Sequence, residues 1–581
     1  MILKRFFQIA DTVIDIHRIK KAARKTTELN YFKNEFRSNC TSFLNTDDIY
    51  KIKNDANRIL DGEYQIYNFE PYKNIKWNQD PISGRTIKNS FVVDLIRTSN
   101  LHNKVDIKNI WEQSHLHPLV TLAQCYELFG DLRCAYKIVD ILMDFYYKNP
   151  CGQSVAWKCC MDSAIRLANI VNSISKISNT PCYKENEIII IQCIYEHVLF
   201  ISKNYEDKGK YTNNHYLSDL IGVIWGSVYL YKNYNVREML DLYDETMDRL
   251  NKEAHRQILS DGFDYELSTY YHCFVTELLT ETLNMLIQNE CVVPVELSDI
   301  TTKMLGCCKE LGAFEGGLPL IGDQDGSRLF HLKGCFDIDR CNFSTLDRFS
   351  NSPEGEVKEF GNIYVLSKDN IKVFFKCGAI GTSGKGTHDH NDQLSVCVYI
   401  DNVEIICDSG TYCYTRDLKK RKKYRSVQSH STVHFIDQEQ NDISDVFSIK
   451  SKQYGKLVRY ETDLVEGEFI YENMEKHKRV VSINSGILTI EDEAVDGISR
   501  LVLPISYSKI RRIDDFHICF SCSGIEVFIS SEDIIEIKKA SISRSYGTEA
   551  EAVYVDSKCN GKHFYYIKRG TNEYDYSTLA K

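Results

Sequence analysis

From about residue 105 to 335, apolar residues recur three and four positions apart, the spacing that places them on one side of a helix. The runs 118–147, 161–177, 215–232 and 271–288 show it most plainly, with short Gly, Asn or Asp breaks between them. Helix after helix on short connections predicts antiparallel helix pairs. Only nine prolines interrupt the whole chain. After residue 357 the period changes to two. Residues 363–377 read as a hairpin turning at Asp369-Asn370, and residues 394–410 as another turning at Asp401-Asn402. Strand-like runs continue to about residue 570.

This change of period predicts an α+β chain, helices first and an antiparallel sheet domain of sandwich type after them. The boundary falls near 340–357, where CNFSTLDRFSNSPEGE carries turn residues and little periodicity. Three regions are expected: 1–95, one amphipathic helix and then an irregular stretch; 96–345, helical; 346–581, sheet.

A length of 581 residues exceeds what one hydrophobic core organises, in keeping with several domains. With 43% hydrophobic and 26% charged residues, the chain reads as an ordinary globular protein. Its net charge of −10 argues against a general nucleic-acid binder. The 21 cysteines form no framework and read as reduced core thiols. Cys519 and Cys522 match C-x-x-C, but they lack a partner pair and sit in a strand-like run. No window is long and apolar enough to span a bilayer, so no membrane insertion is expected. The N-terminus resembles an amphipathic helix more than a signal peptide. Together with the free cysteines, this points to the cytoplasm.

The densest chemistry lies at Thr387-His388-Asp389-His390-Asn391-Asp392. Asp408 follows 18 residues after His390, and His430 comes 22 beyond that. In an extended chain, His-x-His sends both imidazoles to one face. His388 and His390 precede the first strand of the second hairpin and Asp408 ends its second strand, so they meet at its open end. Mixed nitrogen and oxygen ligands favour zinc. Between Asp408 and His430, six cations occupy the seven positions 419–425. Such runs are usually solvated loops, though this one could attract an anionic polymer.

Three weaker clusters lie in the helical half. Asn213-Asn214-His215 opens a helix, and Asn214 reads as its cap. Residues 261–272 gather Asp, Glu, Ser, Tyr and His, too polar for plain core. Gly322-Asp323-Gln324-Asp325-Gly326 reads as a structural loop, since the rest of a calcium-loop pattern is missing.

Taken in order, these motifs resemble the heparinase II/III-like polysaccharide lyases, related to several alginate lyase families. The matching positions are Asn214-His215; Gln257-Ile258, Asp261, Gly262, Glu266, Ser268 and Tyr271-His272; His388, His390, Asp392 and Leu394-Ser395; Asp408, Gly410-Thr411-Tyr412 and Tyr414; Arg425-Ser426, His430 and Thr432-Val433. The resemblance implies an N-terminal α/α toroid followed by an antiparallel β-sandwich. It implies that Tyr271 transfers the proton, that Asn214, His215 and His388 neutralise the substrate carboxylate, and that His390, Asp408 and His430 bind a structural zinc. His115, where relatives often have Arg, and Arg425 are expected to face the substrate. Ser431 departs from an Asn common after the last histidine.

A lyase of this kind removes the C5 proton of a uronic acid and expels the 4-oxygen, and groups that neutralise the carboxylate stabilise the charge that develops. The expected activity is therefore β-elimination on an anionic polysaccharide. Two alternatives stand beside it. One is a glycan-binding or assembly protein of a surface-polysaccharide pathway; the other is a hydrolase, which would need paired carboxylates at its cleft.

Overall fold

Two kinds of helix alternate along the first half of the chain. Those at Cys160–Ile177 and Asn214–Tyr234 are buried on nearly every side, whereas Leu132–Lys148 and Arg237–Gln257 bury one stripe and expose the other. A helix that is apolar all round belongs inside, and an amphipathic one belongs at the periphery. The contacts follow that division. His117–Phe129 packs on Cys160–Ile177, which packs on Asn214–Tyr234, while the outer helices cover the gaps. Close approach needs small residues: a Cβ at Gly222 would come within 2.5 Å of the Ala164 Cβ.

This computed structural model describes residues 2–29, 33–89, 105–350, 358–450 and 453–570, of which 2–12, 27 and 28 are described by backbone alone. Part of the turn-rich stretch read as the boundary, residues 351–357, lies outside the described residues, as do residues 90–95 of the N-terminal region. The chain divides into two units. One comprises Met1–Gln257, Phe274–Thr301 and Ser327–Arg340; the other comprises Ile258–Cys273, Thr302–Gly326 and Cys341–Lys581.

The sequence run 118–147 forms two helices, His117–Phe129 and Leu132–Lys148. The break falls at Gly130, whose φ of 66° ends the first, and at Asp131, whose side chain accepts from the Arg133 N–H to begin the second. The helix predicted over 215–232 spans Asn214–Tyr234. Its cap is Asn213 rather than Asn214: the Asn213 carboxamide accepts from the His215 N–H at 3.3 Å.

The second unit is a pair of antiparallel sheets. The smaller runs in chain order through Glu359–Phe360, Ile363–Lys368, Ile371–Lys376, Val396–Ile400 and Val403–Ile406. Both predicted turns form, and all four turn residues take positive φ: Asp369 53°, Asn370 64°, Asp401 49° and Asn402 63°. Asp and Asn tolerate that region, and the resulting twist matches that of the strands they join. In the larger sheet the long strands Ile487–Leu503 and Ala550–Arg569 pair with each other, with a bulge between Ala494 and Gly497. Val373, Phe375 and Val398 of the smaller sheet share one core with Val481, Leu501 and Val553 of the larger. Each such side chain contributes about 1.5–3 kcal/mol by leaving water. All 21 cysteines are free, and all but Cys291, Cys341 and Cys522 are buried. Cys519 and Cys522 lie on the strand His517–Cys522.

Candidate active site

In the sheet-containing unit, Tyr271 sits in the first turn of the helix Thr269–Gln288, its N–H donating to the Ser268 hydroxyl at 3.2 Å. Ser268 in turn donates to the Asp323 carbonyl at 2.6 Å. The Asp323 N–H donates to the His388 carbonyl at 2.9 Å. Gly322, at φ 78°, makes that approach feasible, because a Cβ there would lie 2.9 Å from the His388 carbonyl oxygen. Three stretches far apart in sequence are thus tied at one point. The Tyr271 ring stacks on the His388 ring, with centroids 3.7 Å apart and planes 16° apart. The Tyr271 and Tyr414 hydroxyls lie 2.9 Å from each other.

Asp323 organises this group. Its Oδ2 meets His388 Nδ1 at 3.1 Å, and its Oδ1 meets His390 Nε2 at 2.8 Å. Arg421 pairs with both oxygens, with Nη2 to Oδ2 at 2.7 Å. Burial alone would raise the Asp323 carboxyl; Arg421, His388 and His390 outweigh it and hold the group well below its ordinary value. The two imidazoles of His-x-His do converge, although the chain there is loop rather than strand, and what unites them is this shared carboxylate. Reading residues 322–326 as a structural loop missed it. Nor is the basic run a solvated loop throughout. Residues Leu418–Arg425 form a helix that buries Arg421, Tyr424 and Arg425 and exposes Lys419, Lys422 and Lys423.

Burial pushes the Tyr271 phenol well above its ordinary value, and Asp325 and Tyr414 push the same way. The resting group is therefore the protonated phenol. His272, its neighbour, is structural: Nδ1 accepts from the Asp264 N–H at 3.2 Å, and Nε2 lies 3.1 Å from the Met304 carbonyl.

His390, Asp408 and His430 come together as expected, their ligand atoms within 4.8 Å of one another and all three residues buried. With His390 Nε2 on Asp323, its Nδ1 has no hydrogen-bond partner; neither has His430 Nε2. His430 Nδ1 lies 2.7 Å from Asp408 Oδ2. A carboxylate on the far nitrogen of a ligating histidine is the usual support of a metal site, so this donor set fits a divalent ion.

In the helical unit, Asn214 is fully buried and His215 partly exposed. His215 Nδ1 lies 3.2 Å from both oxygens of Glu206 and 3.7 Å from the Cys159 sulfur. Burial lowers the imidazole, yet Glu206 overrides it and raises His215 above its ordinary value. His115 is buried, with Nε2 2.6 Å from Asp162 Oδ1. Arg425, in the other unit, is also buried, and spends its guanidinium on the backbone carbonyls of Asp389, Asp445, Val446 and Ser448.

Solved structures place the architecture among polysaccharide lyases. Heparinase III is 14% identical with a TM-score of 0.68, covering 96% of this chain and 90% of its own. The heparan sulfate lyase of Pedobacter heparinus is 15% identical at 0.54, covering 98% and 91%. The chondroitin AC lyase of Streptomyces coelicolor A3 is 8% identical at 0.51, covering 97% and 84%. The fold class they share with this chain is a helical toroid followed by antiparallel β-sheets. No curated protein sequence matches. The pattern of the heparinase II/III N-terminus matches residues 11–325, and that of the heparinase II/III-like C-terminal domain matches 353–503. The chain belongs to the heparinase II/III family and is a polysaccharide lyase.

Proposed function

We propose that the protein cleaves a uronic-acid-containing glycosaminoglycan by β-elimination, with Tyr271 as the proton-transferring group. The observation that carries this reading is the buried phenol itself, stacked on His388 and hydrogen-bonded to Tyr414. A side chain so fixed in ring plane and hydroxyl direction is suited to a reaction that moves protons at two neighbouring carbons. The bond from C5 to hydrogen breaks, the 4,5 double bond forms, and the bond from C4 to the leaving oxygen breaks. Protonated at rest, Tyr271 must first give up its proton; as phenolate it takes the proton lost from C5, and the phenol so formed returns a proton to the departing 4-oxygen.

The substrate carboxylate gains charge as the C5 proton leaves. Asn214, His215 and His388 are assigned to it, and the pull of Glu206 toward a cationic His215 supports that assignment. Zinc held by His390, Asp408 and His430 would supply rigidity rather than chemistry. It would hold the loop that carries His388, while Asp323 orients His388 from the other side. His115 and Arg425 are left out of the substrate contacts, because their burial and existing partners leave neither presented to a polymer.

The deciding assay incubates the protein with heparan sulfate, hyaluronan, chondroitin sulfate and alginate, and follows the absorbance of the unsaturated product. A rise on at least one polymer is expected. Flat traces on all of them would count against the proposal, and new reducing ends without absorbance would indicate hydrolysis.

A further inference from the structure

A second group of metal-ligating side chains lies wholly within the helical unit and takes no part in the chemistry above. The helix Ile107–Ser114 ends at His115, and the next begins at His117 with Pro118 in its first turn. Between them Leu116 adopts φ 64° and ψ 29°, a left-handed conformation that costs a residue with a Cβ about 1–2 kcal/mol. The sharp turn folds three side chains onto one spot. Glu112 Oε2 lies 3.3 Å from His115 Nδ1, and Glu112 Oε1 lies 3.9 Å from His117 Nε2. One ligand atom from each of the three residues falls within 4.8 Å of the others.

These groups are buried, and several of their polar atoms make no hydrogen bond. Glu112 is 4% exposed, His115 1%, His117 3% and the nearby His331 5%. Six of their polar atoms have no hydrogen-bond partner among the described residues: Glu112 Oε2, His115 Nδ1, and both ring nitrogens of His117 and of His331. An unmade hydrogen bond at a buried polar atom costs about 1–3 kcal/mol. Such a concentration calls for an occupant, either an ion or ordered water.

The neighbours indicate which. Asp162 Oδ1 sits 2.6 Å from His115 Nε2, so in the neutral ring the proton belongs on that nitrogen, which leaves Nδ1, facing Glu112 Oε2 at 3.3 Å, as the ligating atom. That is how carboxylates hold metal-ligating histidines. Arg340 occupies Glu112 Oε1 at 2.6 Å and leaves Oε2 for a second positive partner. His331 stacks on His117 at 3.7 Å and 14°, and parallel rings cannot both hold one ion in plane. It therefore backs His117 instead of ligating beside it.

We propose that Glu112, His115 and His117 bind a divalent transition-metal ion, a site separate in its residues from that of His390, Asp408 and His430. Two imidazole nitrogens and one carboxylate oxygen suit zinc, with a fourth position left for water.

The test uses metal-depleted full-length protein reloaded with zinc alone, with zinc counted per chain by elemental analysis on the monodisperse fraction. Wild type is expected to hold two ions, His117→Gln one, His430→Gln one and the double variant none. A zinc content unchanged by His117→Gln would overturn the proposal. Should that variant fail to fold, anomalous diffraction from zinc-loaded wild-type crystals decides. A peak between Glu112, His115 and His117 supports the site, and water alone at that position refutes it.

Discussion

His388 presents one face of its imidazole to the ring of Tyr271, 3.7 Å away, while its Nδ1 rests on Asp323. The phenol's orientation thus depends on a histidine whose own orientation is set by a carboxylate. Replacements at these positions separate ring packing from proton transfer.

Tyr271→Phe keeps the ring and its stacking and removes only the hydroxyl. Lyase turnover should fall by about 10²–10⁴-fold, the usual contribution of a positioned acid–base group. The melting temperature should stay close to wild type. Full activity in the variant, read from product absorbance, would remove Tyr271 from the mechanism.

His390→Ala should cost one equivalent of zinc and lower the melting temperature. A chelator should lower the wild-type melting temperature and shift that of the variant less, since binding to the folded state is what stabilises it. Elemental analysis together with a thermal melt checks both. Unchanged metal content would sink the assignment.

Asp323→Asn strips the charge from the partner of buried Arg421. Breaking a buried pair on one side costs about 3–5 kcal/mol, which denaturant unfolding would register. Turnover should drop as well, because asparagine keeps only one acceptor oxygen where Asp323 uses two to orient His388 and His390. A variant with wild-type stability would show that Arg421 finds another partner.

Asp492 offers a pH test within the sandwich. Arg479 donates to it through Nε at 2.7 Å and Nη2 at 2.8 Å, His477 Nε2 lies at 2.8 Å, and Ser499 donates at 2.6 Å. Burial would raise this carboxyl, but Arg479 and His477 carry it below its ordinary 3.8; burial lowers His477 below 6.5. Both folded values are depressed: keeping His477 neutral costs stability as the pH falls below about 6.5, and the stability Asp492 adds, complete above about pH 3.8, is lost as the pH falls further. Asp492→Asn should cost about 3–5 kcal/mol at neutral pH, with the gap to wild type narrowing in acid. Parallel stability curves from pH 7 to pH 3 would contradict this.

Much of the fold was legible because it is written in local spacing. Asp369-Asn370 and Asp401-Asn402 sit between period-two runs and turn where such residues should. Of the candidate site, the cluster of His390, Asp408 and His430 was legible from residue type and spacing, whereas Tyr271 was singled out only by the family resemblance of the motifs around it. Asp323 was not legible, since its meaning comes from residues 65 and 98 positions away. Arg421 was hidden by its company. Only the helical periodicity of Leu418–Arg425, which turns positions 421, 424 and 425 inward together, distinguishes it from the lysines around it. Asn213 and Asn214 are equally good caps by type, and the choice between them was settled by where the helix begins.

Asp323 touches both members of His-x-His, one assigned to the reaction and one to an ion. A mutation there is expected to disturb both. During divergence the proposed ion site and the imidazole assigned to the reaction would then be kept or lost as a single heritable unit, even in descendants that change their polymer.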